Sequence, residues 1–414
     1  MLTVAYIANQ FPSAVEPYVW QEVMELRRRG VCVIPCSVRA VAALRDREMQ
    51  GWKNGTLYLQ PLRLILLLRA ARICLQERKA LLAFWPRAGE RESAGRRVRA
   101  VLHTWLGAYY ALALEGRGVQ HIHAHHGYSA AWIAMVAARL LKMNFSMTLH
   151  GSDLLVHHSF LRTKLANCTF CLTISQFNRQ YILQHYPVVS AGKVFVSRLG
   201  VEAAEGGFER GTNLAVNAPL LILAVGRLHP VKDHAFLIRA CSEVKRRGLR
   251  STCLIAGDGP ERAALGRLIR ELGLQEEVRL LGHLSRQRLN AYYVMCDVVV
   301  LTSRSEGLPL VLMEAMAHGK TVLAPAITGI PELITDGKTG FMYRSGSLGD
   351  FAAQLQRIAA LRPGLEPVRQ AARRHVLKHF DRAKNLAAFA DLFMACVSGR
   401  EEAMSNEDTL LQQI

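Results

Sequence analysis

The sequence predicts an α/β protein built from two parallel sheets, each covered by helices on both faces. Strand-like and helix-like segments alternate, the alternation occurs twice, and a turn-rich stretch separates the two runs. The length of 414 residues agrees with this division, because a single hydrophobic core rarely extends beyond about 250–300 residues. Residues 206–218 are rich in Gly and Asn and lack apolar periodicity, which is typical of a linker. We therefore expect one domain at residues 1–205 and a second at 219–380.

The first run opens with a strand–helix–strand unit. An apolar strand is predicted at residues 2–8, a helix at 18–29 and a second strand at 31–35. Residues 40–118 are predicted to be helical and strongly basic. Further strands are expected at 121–124, 146–149, 170–174 and 193–196. Because these strands alternate with helices, they predict a doubly wound parallel sheet.

The second run repeats this pattern with shorter connections. Strands are predicted at 220–225, 252–256, 278–281, 298–301 and 321–324, separated by helices at 233–247, 262–272, 287–293 and 310–317. Helical segments are expected from there to the end. Residues 381–400 are predicted to be a helix that returns to the first domain, and 401–414 a polar tail. Ligands bind beyond the carboxyl ends of the strands in such sheets, so the functional residues should follow strands.

The formal net charge of +19 is concentrated in the first half of the chain. Residues 1–200 hold 25 Lys and Arg against 10 Asp and Glu, a net charge of +15. Such a field attracts a polyanion, either nucleic acid or an anionic membrane leaflet, although a solvated basic surface without a partner is the alternative. The apolar stretch 62–75 is interrupted by Arg63, Arg69 and Arg72, so it is too short and too charged to span a bilayer. It suits either a helix lying at a membrane interface or a surface helix packed on the core.

Cysteine usage and the N-terminus indicate a reducing compartment. The nine cysteines are odd in number and scattered through apolar segments, which is typical of free thiols. Cys168 and Cys171 form a C-x-x-C pair, but no second pair completes a zinc set. Residues 1–8 form a strand-like apolar run rather than a signal peptide. The expected location is cytoplasmic.

Two basic residues flank the first strand-to-helix turn of the second domain. Arg227 and Lys232 follow the strand at 220–225 and precede the helix at 233–247. Two cations at a helix N-terminus can bind a diphosphate and stabilise it as a leaving group. An ordinary solvated pair is the alternative.

Two glutamates mark a second turn in the same domain. Glu306 lies in the loop after the strand at 298–301, and Glu314 lies on the helix that Pro309 introduces. The backbone N–H groups in the first turn of that helix can meet phosphate oxygens. A capped surface helix with two unrelated carboxylates is the alternative.

These turns belong to a set of motifs that resembles a known family. The motifs are Gly226-Arg227-Leu228 with Lys232, then Ile255-Ala256-Gly257-Asp258-Gly259-Pro260-Glu261, then Ser305-Glu306-Gly307-Leu308-Pro309 through Glu314-Ala315-Met316-Ala317, and Thr328-Gly329-Ile330-Pro331-Glu332. In this order and spacing they resemble the donor-binding domain of the family 4 glycosyltransferases. That group is retaining and has the GT-B fold, in which two Rossmann-like domains face each other across a cleft.

The resemblance implies a role for each matching residue of the second domain. Arg227 and Lys232 would hold the donor diphosphate. Glu306 would contact the transferred sugar, and Glu314 the ribose hydroxyls. Four other positions would act through their backbones, with two lining the base slot and two offering N–H groups to phosphate: Gly257, Gly282, Leu310 and Val311.

The first domain resembles the family around His150. The segment 148–153 is similar to the family's histidine segment, so His150 would contact the sugar and Asp153 would be a candidate acceptor-site residue. The family's glycine-rich first loop is replaced by residues 9–17, which resemble a subgroup used in exopolysaccharide and lipopolysaccharide assembly. Glu16 in that loop is a candidate contact for acceptor or sugar.

A run of histidines precedes this segment. His121, His123, His125 and His126 alternate along a predicted strand, a spacing that places alternate rings on one face. No carboxylate or cysteine set lies near them in the sequence, and the family generally works without metal. We therefore expect no metal and no cofactor.

Together these features predict a retaining hexosyltransferase that moves a sugar from a UDP- or GDP-linked donor to a glycan or lipid-linked acceptor. The expected location is cytoplasmic, peripheral on the inner face of the plasma membrane. A nucleotide-sugar epimerase or a phosphorylase of the same fold is the alternative within the enzyme class. A nicotinamide-dependent oxidoreductase is disfavoured because no Gly-x-Gly-x-x-Gly follows the first strand. A nucleic-acid-binding protein would explain the charge, but no binding module is recognised and no nucleic acid is expected.

Overall fold

The computed structural model describes residues 1–13, 16–41, 50–84, 92–203 and 218–399. The chain forms two compact units. The N-terminal unit comprises Met1–Arg198 together with the chain from Asn385 onward, and the C-terminal unit comprises Leu199–Lys384. Of the predicted linker, only Ala218 lies among the described residues, and the predicted tail at 401–414 lies outside them.

The N-terminal unit contains a seven-stranded, fully parallel sheet. Its strands in chain order are β1 Thr3–Ala8, β2 Cys32–Ser37, β3 Leu57–Tyr58, β4 His121–His125, β5 Asn144–Leu149, β6 Phe170–Thr173 and β7 Val194–Val196. They lie in the order β3-β2-β1-β4-β5-β6-β7. Every neighbouring pair is parallel. Buried apolar clusters cover both faces of the sheet, as parallel strands require.

Helices lie between these strands in the described part of the unit. They are α1 Pro17–Arg28, α2 Leu64–Gln76, α3 Arg78–Leu82, α4 Ala94–Leu114, α5 Ser129–Leu140, α6 Ser152–Leu155, α7 Leu161–Asn167 and α8 Gln176–His185. Helices α4 and α5 pack closely at Gly107. A Cβ at that position would lie 2.6 Å from the Cβ of Val136, so only glycine permits this contact.

The C-terminal unit contains a six-stranded parallel sheet. Its strands are β8 Leu220–Val225, β9 Ser251–Ala256, β10 Val278–Gly282, β11 Val298–Val300, β12 Thr321–Pro325 and β13 Phe341–Tyr343, in the order β10-β9-β8-β11-β12-β13. Its helices are α9 His234–Arg246, α10 Arg262–Glu271, α11 Arg286–Met295, α12 Leu310–Ala317, α13 Ile330–Leu333, α14 Leu348–Leu361 and α15 Glu366–His379. The predicted α/β class with two parallel sheets is confirmed.

Both sheets reverse their strand order beside the first strand of the unit. In the N-terminal unit β1 lies between β2 and β4, and in the C-terminal unit β8 lies between β9 and β11. The loops leaving the carboxyl ends of such neighbours diverge to opposite faces and leave a crevice in which ligands bind. Each unit thus has its own switch point at which functional residues are expected.

Two strands lie where the sequence predicted helix. Strand β3 falls within the stretch 40–118, and β13 falls within the expected helical end of the second domain. Both are edge strands, of two and three residues. Segments this short show no alternation, so hydrophobic periodicity could not reveal them.

The last helix, α16 Arg382–Ser398, begins in the C-terminal unit and continues into the N-terminal unit. Its residues Phe389 and Phe393 are buried in the cluster that contains Val4, Tyr6 and Phe170. No helix in the described ranges has both the length and the apolar character that crossing a bilayer requires.

Candidate active-site residues

Three glycines meet at the carboxyl edge of the C-terminal sheet. Gly257 has a φ of +148°, and a Cβ there would lie 1.9 Å from the carbonyl oxygen of Gly226. Its N–H donates to the carbonyl of Gly282 at 2.9 Å. The ends of β8, β9 and β10 therefore approach one another through bare backbone, and a side chain at Gly257 would prevent this approach.

Lys232 and Glu306 form an ion pair at the switch point of the same sheet. Lys232 ends a single 3-10 turn after β8, and its side chain lies over Gly226. Its Nζ donates to Oε1 of Glu306, which follows β11, at 2.6 Å. The Glu306 side chain is 12% exposed and that of Lys232 27%. Two residues 74 positions apart in the sequence thus meet because β8 and β11 are neighbours.

Backbone contacts hold the two loops that carry this pair. The Thr302 hydroxyl donates to the carbonyl of Lys232 at 3.0 Å, and the Thr328 hydroxyl donates to the carbonyl of Glu306 at 2.5 Å. The Arg304 N–H donates to the carbonyl of Val231 at 2.9 Å. Thr328 begins one of the motifs recognised in the sequence. Thr302 and Arg304 were not assigned a role there, because no spacing rule connects them to Lys232.

Arg227 lies on the same loop as Lys232, and its side chain is exposed. Within the described part of the chain, it has no ion-pair partner. An arginine in this state offers its full set of donors to an anion. The structure therefore places one paired and one unpaired cation on the loop after β8.

Glu314 has a partner of its own. The Tyr293 hydroxyl, from α11, donates to its Oε2 at 2.9 Å, and the Tyr293 ring stacks on His318 at 5.0 Å. Burial raises the pKa of the Glu314 carboxyl, and the bond from Tyr293 offsets part of that rise. No hydrogen bond or ion pair among the described residues joins Glu314 to Lys232 or Glu306. Tyr293 was not expected from the sequence.

Helix α12 begins at Leu310, after Pro309. Residues 310 and 311 lie in its first turn, so their N–H groups have no intrahelical acceptor. Among the described residues they have no other acceptor either. These groups are available to an anion at the helix N-terminus.

His150 follows β5 in the N-terminal unit and begins a chain of buried side chains. Its Nε2 lies 2.7 Å from Nε2 of His125. On the other side of that ring, Nδ1 of His125 lies 3.1 Å from a carboxylate oxygen of Glu22 and 2.9 Å from the Tyr6 hydroxyl. Tyr6 and Glu22 are also hydrogen bonded to each other. The residues of this hydrogen-bonded network therefore come from β4, α1, β1 and the loop after β5.

The side chains of His150, His125 and Glu22 are held in their neutral forms. Burial raises the pKa of Glu22 to about 8, which the Tyr6 bond and the nearby His126 only partly oppose. Burial also lowers the pKa of His125 and of His150 well below the usual range. At neutral pH the His150 ring is thus an uncharged group whose orientation is set by its bond to His125.

Asp153 binds backbone on both of its oxygens. Oδ1 accepts from the N–H groups of His150 and Gly151 at 3.0 and 2.9 Å, and Oδ2 accepts from Gly127 at 2.9 Å. Burial alone would raise its pKa, but His126 and these backbone donors hold the pKa below its usual value. Asp153 therefore ties the loops after β4 and β5 together.

Glu16 and His126 complete the group. A Glu16 oxygen lies 3.3 Å from Nε2 of His126, whose ring stacks on His150 at 4.6 Å. The ligand nitrogens of His125, His126 and His150 lie within 4.8 Å of one another, close enough for one metal ion. The sequence argument that no carboxylate accompanies these histidines is wrong for the folded chain. Glu16 and Glu22 reach them from α1 and the loop before it, a proximity across the sheet that local spacing does not reveal.

Comparison with known proteins identifies the class. Residues 208–375 match the family described as glycosyl transferases group 1. This match covers 168 of the 414 residues, and the resemblance inferred from the sequence motifs is confirmed.

Three curated relatives are similar to parts of the chain. The amylovoran biosynthesis glycosyltransferase AmsK of Erwinia amylovora is 30% identical over 271 residues, 62% of this chain and 65% of that protein. The alpha-D-kanosaminyltransferase of Streptomyces kanamyceticus is 34% identical over 138 residues, which are 33% of this chain and 36% of that protein. A GDP-mannose-dependent alpha-(1-6)-phosphatidylinositol monomannoside mannosyltransferase of Mycolicibacterium smegmatis is 28% identical over 278 residues. These are 62% of this chain and 69% of that protein. The chain thus spans less than two thirds of AmsK and about a third of the kanosaminyltransferase.

Solved structures share the fold along almost the whole chain. The sucrose-phosphate synthase of Thermosynechococcus elongatus superposes with a TM-score of 0.74 at 18% identity, covering 96% of this chain and 100% of that one. Anabaena HepE in complex with UDP superposes with a TM-score of 0.69 at 17% identity, covering 95% of this chain and 100% of that one. The GT-B fold that the resemblance implied is confirmed.

Proposed function

We propose that this protein transfers a hexose from a nucleotide-diphosphate-sugar to an acceptor, with retention at the anomeric carbon. The observation that carries the proposal is the Lys232–Glu306 ion pair at the switch point of the C-terminal sheet, with Arg227 exposed beside it. Cations and a carboxylate at one strand edge suit a substrate that joins a diphosphate to a sugar.

The diphosphate is the proposed ligand of the cations. Arg227 and Lys232 would bind its oxygens, and the N–H groups of Leu310 and Val311 would add two donors at the N-terminus of α12. The same groups would stabilise the charge that develops as the diphosphate leaves. The bare backbone at Gly257 and Gly282 suits a base, and Glu314 suits the ribose hydroxyls.

Glu306 and His150 are the proposed contacts of the sugar. When a diphosphate binds Lys232, the Glu306 carboxylate can turn to the sugar hydroxyls or to the positive charge of an oxocarbenium-like transition state. His150, neutral and oriented by His125, can accept or donate one hydrogen bond without adding charge. No metal or cofactor is needed for these roles.

The acceptor is proposed to be a glycan or lipid-linked saccharide of a cell-surface polysaccharide. AmsK is named for amylovoran biosynthesis, and the mycobacterial relative is named for a mannoside of phosphatidylinositol. These names support a carbohydrate acceptor, one of them lipid-linked. The donor base, UDP or GDP, is left to the assay.

We also propose that the protein lies on the anionic inner face of the plasma membrane. Most of the apolar stretch 62–75 forms helix α2, which packs Leu66 and Ile73 on the core. On its other side Leu64, Ile65 and Leu68 are 64–74% exposed. Exposed apolar side chains between arginines, in a half of the chain with a net charge of +15, suit binding to a membrane interface.

The test is a screen of UDP- and GDP-hexoses, with the products analysed by NMR. We expect one donor to be consumed and its anomeric configuration retained in the product, and Glu306→Gln to lower turnover about 100-fold while nucleotide binding persists. Glu271→Gln, at the exposed end of α10, is the matched control and should be unaffected.

Two results of this screen would overturn the proposal. One is that no donor binds. The other is that Glu306→Gln and Glu271→Gln behave alike. An epimerised sugar nucleotide without transfer would instead identify an epimerase.

A further inference from the structure

The rings of His125 and His150 face each other through one nitrogen each. Their Nε2 atoms lie 2.7 Å apart. Two bare nitrogens at this distance would repel each other, and two N–H groups would clash, so one ring donates and the other accepts. A neutral imidazole carries a single hydrogen, on Nδ1 or on Nε2. The direction of this one bond therefore fixes which nitrogen of each ring is left bare.

The Nδ1 atom of His125 faces Tyr6 and Glu22. It lies 2.9 Å from the Tyr6 hydroxyl and 3.1 Å from Oε2 of Glu22, the oxygen that is also hydrogen bonded to Tyr6. In the described ranges, Oε1 of Glu22 has no hydrogen-bond partner. A proton on this buried carboxyl group therefore lies on Oε2, where it has an acceptor.

The protonated carboxyl group gives one hydrogen-bonding pattern. Tyr6 and Glu22 then hold two hydrogens between them, and Nδ1 of His125 accepts one of these. The hydrogen of His125 lies on Nε2 and is donated to Nε2 of His150. The hydrogen of His150 consequently lies on Nδ1, which is a donor.

The ionised carboxylate reverses this pattern. Oε2 of Glu22 then accepts from Tyr6 and from the Nδ1–H of His125. The bare Nε2 of His125 accepts from the Nε2–H of His150, and Nδ1 of His150 is left able only to accept. One proton on Glu22 thus changes the hydrogen bond that His150 offers at its far side.

The Nδ1 atom of His150 is the ring nitrogen that this network leaves for a ligand. In the part of the chain that the structure describes, no group hydrogen bonds to it. Tyr18 and His126 pack against the ring, with centroids 4.8 and 4.6 Å from its own. The ring cannot turn without losing these contacts and the bond to His125, so the direction of Nδ1 is fixed as well.

Burial favours the first pattern at neutral pH, because it raises the pKa of Glu22 to about 8. Other titratable groups face Glu22, His150 or the rings packed on them, from β1, β4, α1, α6 and the adjoining loops: Tyr6, Glu16, Tyr18, His123, His125, His126 and Asp153. Burial raises the pKa of both tyrosines well above 10 and lowers the pKa of His123 and His125 well below 6.5. These four groups therefore keep one protonation state near pH 8, where Glu22 changes its own.

We propose that Glu22, acting through His125, holds His150 in the tautomer that donates a hydrogen bond from Nδ1 to an oxygen of the sugar. Glu22 and His125 are then positioning residues that need not touch the substrate. The proposal rests on the glycosyltransferase function above, in which His150 contacts the sugar, and it specifies the bond that this contact makes. A donor at Nδ1 can bind a ring oxygen or a hydroxyl, whereas a bare nitrogen can bind a hydroxyl only.

The first test reads the tautomer by nitrogen NMR of histidine-labelled protein that has been dialysed against EDTA and contains no substrate. The signals of His150 are identified by their absence in His150→Gln. We expect the hydrogen of His150 on Nδ1 at pH 6.5 and on Nε2 at pH 9.5, on either side of the pKa of Glu22. Glu22→Gln should keep one tautomer at both pH values, because an amide does not titrate. The matched control on the same helix, Glu25→Gln, should change tautomer as the unmutated protein does.

The second test is the pH dependence of turnover with the donor identified by the screen. The kcat of the unmutated protein, divided by that of Glu22→Gln, should fall about tenfold from pH 6.5 to 9.5, because one hydrogen bond to the sugar is lost. The Kd of the free nucleotide should stay unchanged over this range.

Three outcomes would overturn the proposal. The first is a hydrogen on Nε2 of His150 already at pH 6.5, and the second is a change of tautomer that persists in Glu22→Gln. The third is a change of tautomer in the unmutated protein while the ratio of kcat values stays constant. Because the NMR experiment needs no substrate, a failure of the glycosyltransferase assignment would be seen separately, as absence of turnover in every variant.

Discussion

The carboxyl group of Glu22 lies buried between the Tyr6 hydroxyl and the His125 ring, and burial raises its pKa to about 8. In the unfolded chain the same carboxyl loses its proton near pH 4.5. Between these values the folded state binds more protons than the unfolded state. The stability that Glu22 contributes is therefore complete below about pH 4.5 and is lost as the pH rises through 8.

Replacing Glu22 by Gln should remove this dependence. We expect the urea midpoint of the unmutated protein, measured relative to that of Glu22→Gln, to decrease as the pH is raised from 6.5 to 8. Glu25→Gln on the same helix is the control, because Glu25 pairs with Arg28 and its lowered pKa places its titration below this window. A constant difference between the unmutated protein and Glu22→Gln over this window would show that Glu22 is ionised in the folded state.

The three histidines that could share a metal ion give a second prediction at this scale. His125 and His150 already bond each other, and His126 has Glu16 as a neighbour. We expect transfer to persist after dialysis against EDTA, with less than one metal ion per ten chains by elemental analysis. Loss of activity that zinc or manganese restores would instead make His125, His126 and His150 metal ligands.

At the scale of elements, helix α16 contributes aromatic residues to the core of the N-terminal unit. Phe393 is fully buried, and its ring lies 5.1 Å from that of His123 and 5.7 Å from that of Phe170. The helix thus covers the strands that carry the histidines, although more than 200 residues separate it from them in the chain.

Truncating Phe393 to Ala should destabilise the N-terminal unit by about 3–5 kcal/mol, because the change leaves a cavity in a packed core. Asp391→Ala on the same helix removes an exposed ion pair with Arg29 and should cost less than about 1 kcal/mol. Denaturant unfolding of both variants measures the difference. Equal, small effects would mean that α16 is not part of this core.

The arrangement of strands and helices also decides which residues meet at the switch points. Lys232 and Glu306 meet because β8 and β11 are neighbours, and Glu22 meets His125 because β1, which precedes α1, pairs with β4. The motifs around Lys232 and Glu306 were recognisable in the sequence. The Glu22–His125–His150 chain was not, since a glutamate on an amphipathic helix shows no sign of burial until its neighbours are known.

At the scale of the whole molecule, the charge is carried mainly by the first half of the chain, with +15 of the net +19. Exposed apolar side chains on α2 accompany it. A surface of this kind should bind anionic vesicles through charge attraction and through apolar contact, and salt should screen the charge attraction.

We therefore expect sedimentation with phosphatidylglycerol vesicles at low salt, much less at 0.5 M salt, and little with phosphatidylcholine. Ile65→Glu should weaken binding severalfold, whereas Leu361→Glu, at an exposed site in the C-terminal unit, should not. Equal and negligible binding to both kinds of vesicle would exclude membrane docking.

By itself the sequence determined the α/β class, the division into two alternating halves, the glycosyltransferase motifs from Gly226 to Glu332 and the concentration of charge. All of these depend on local periodicity, spacing or composition. The tertiary structure decided which distant residues meet: the Lys232–Glu306 pair, the Tyr293–Glu314 bond and the neutral side-chain network behind His150. The physical reason is that burial and strand order, which set these contacts and the pKa values that follow from them, depend on elements far apart in the chain.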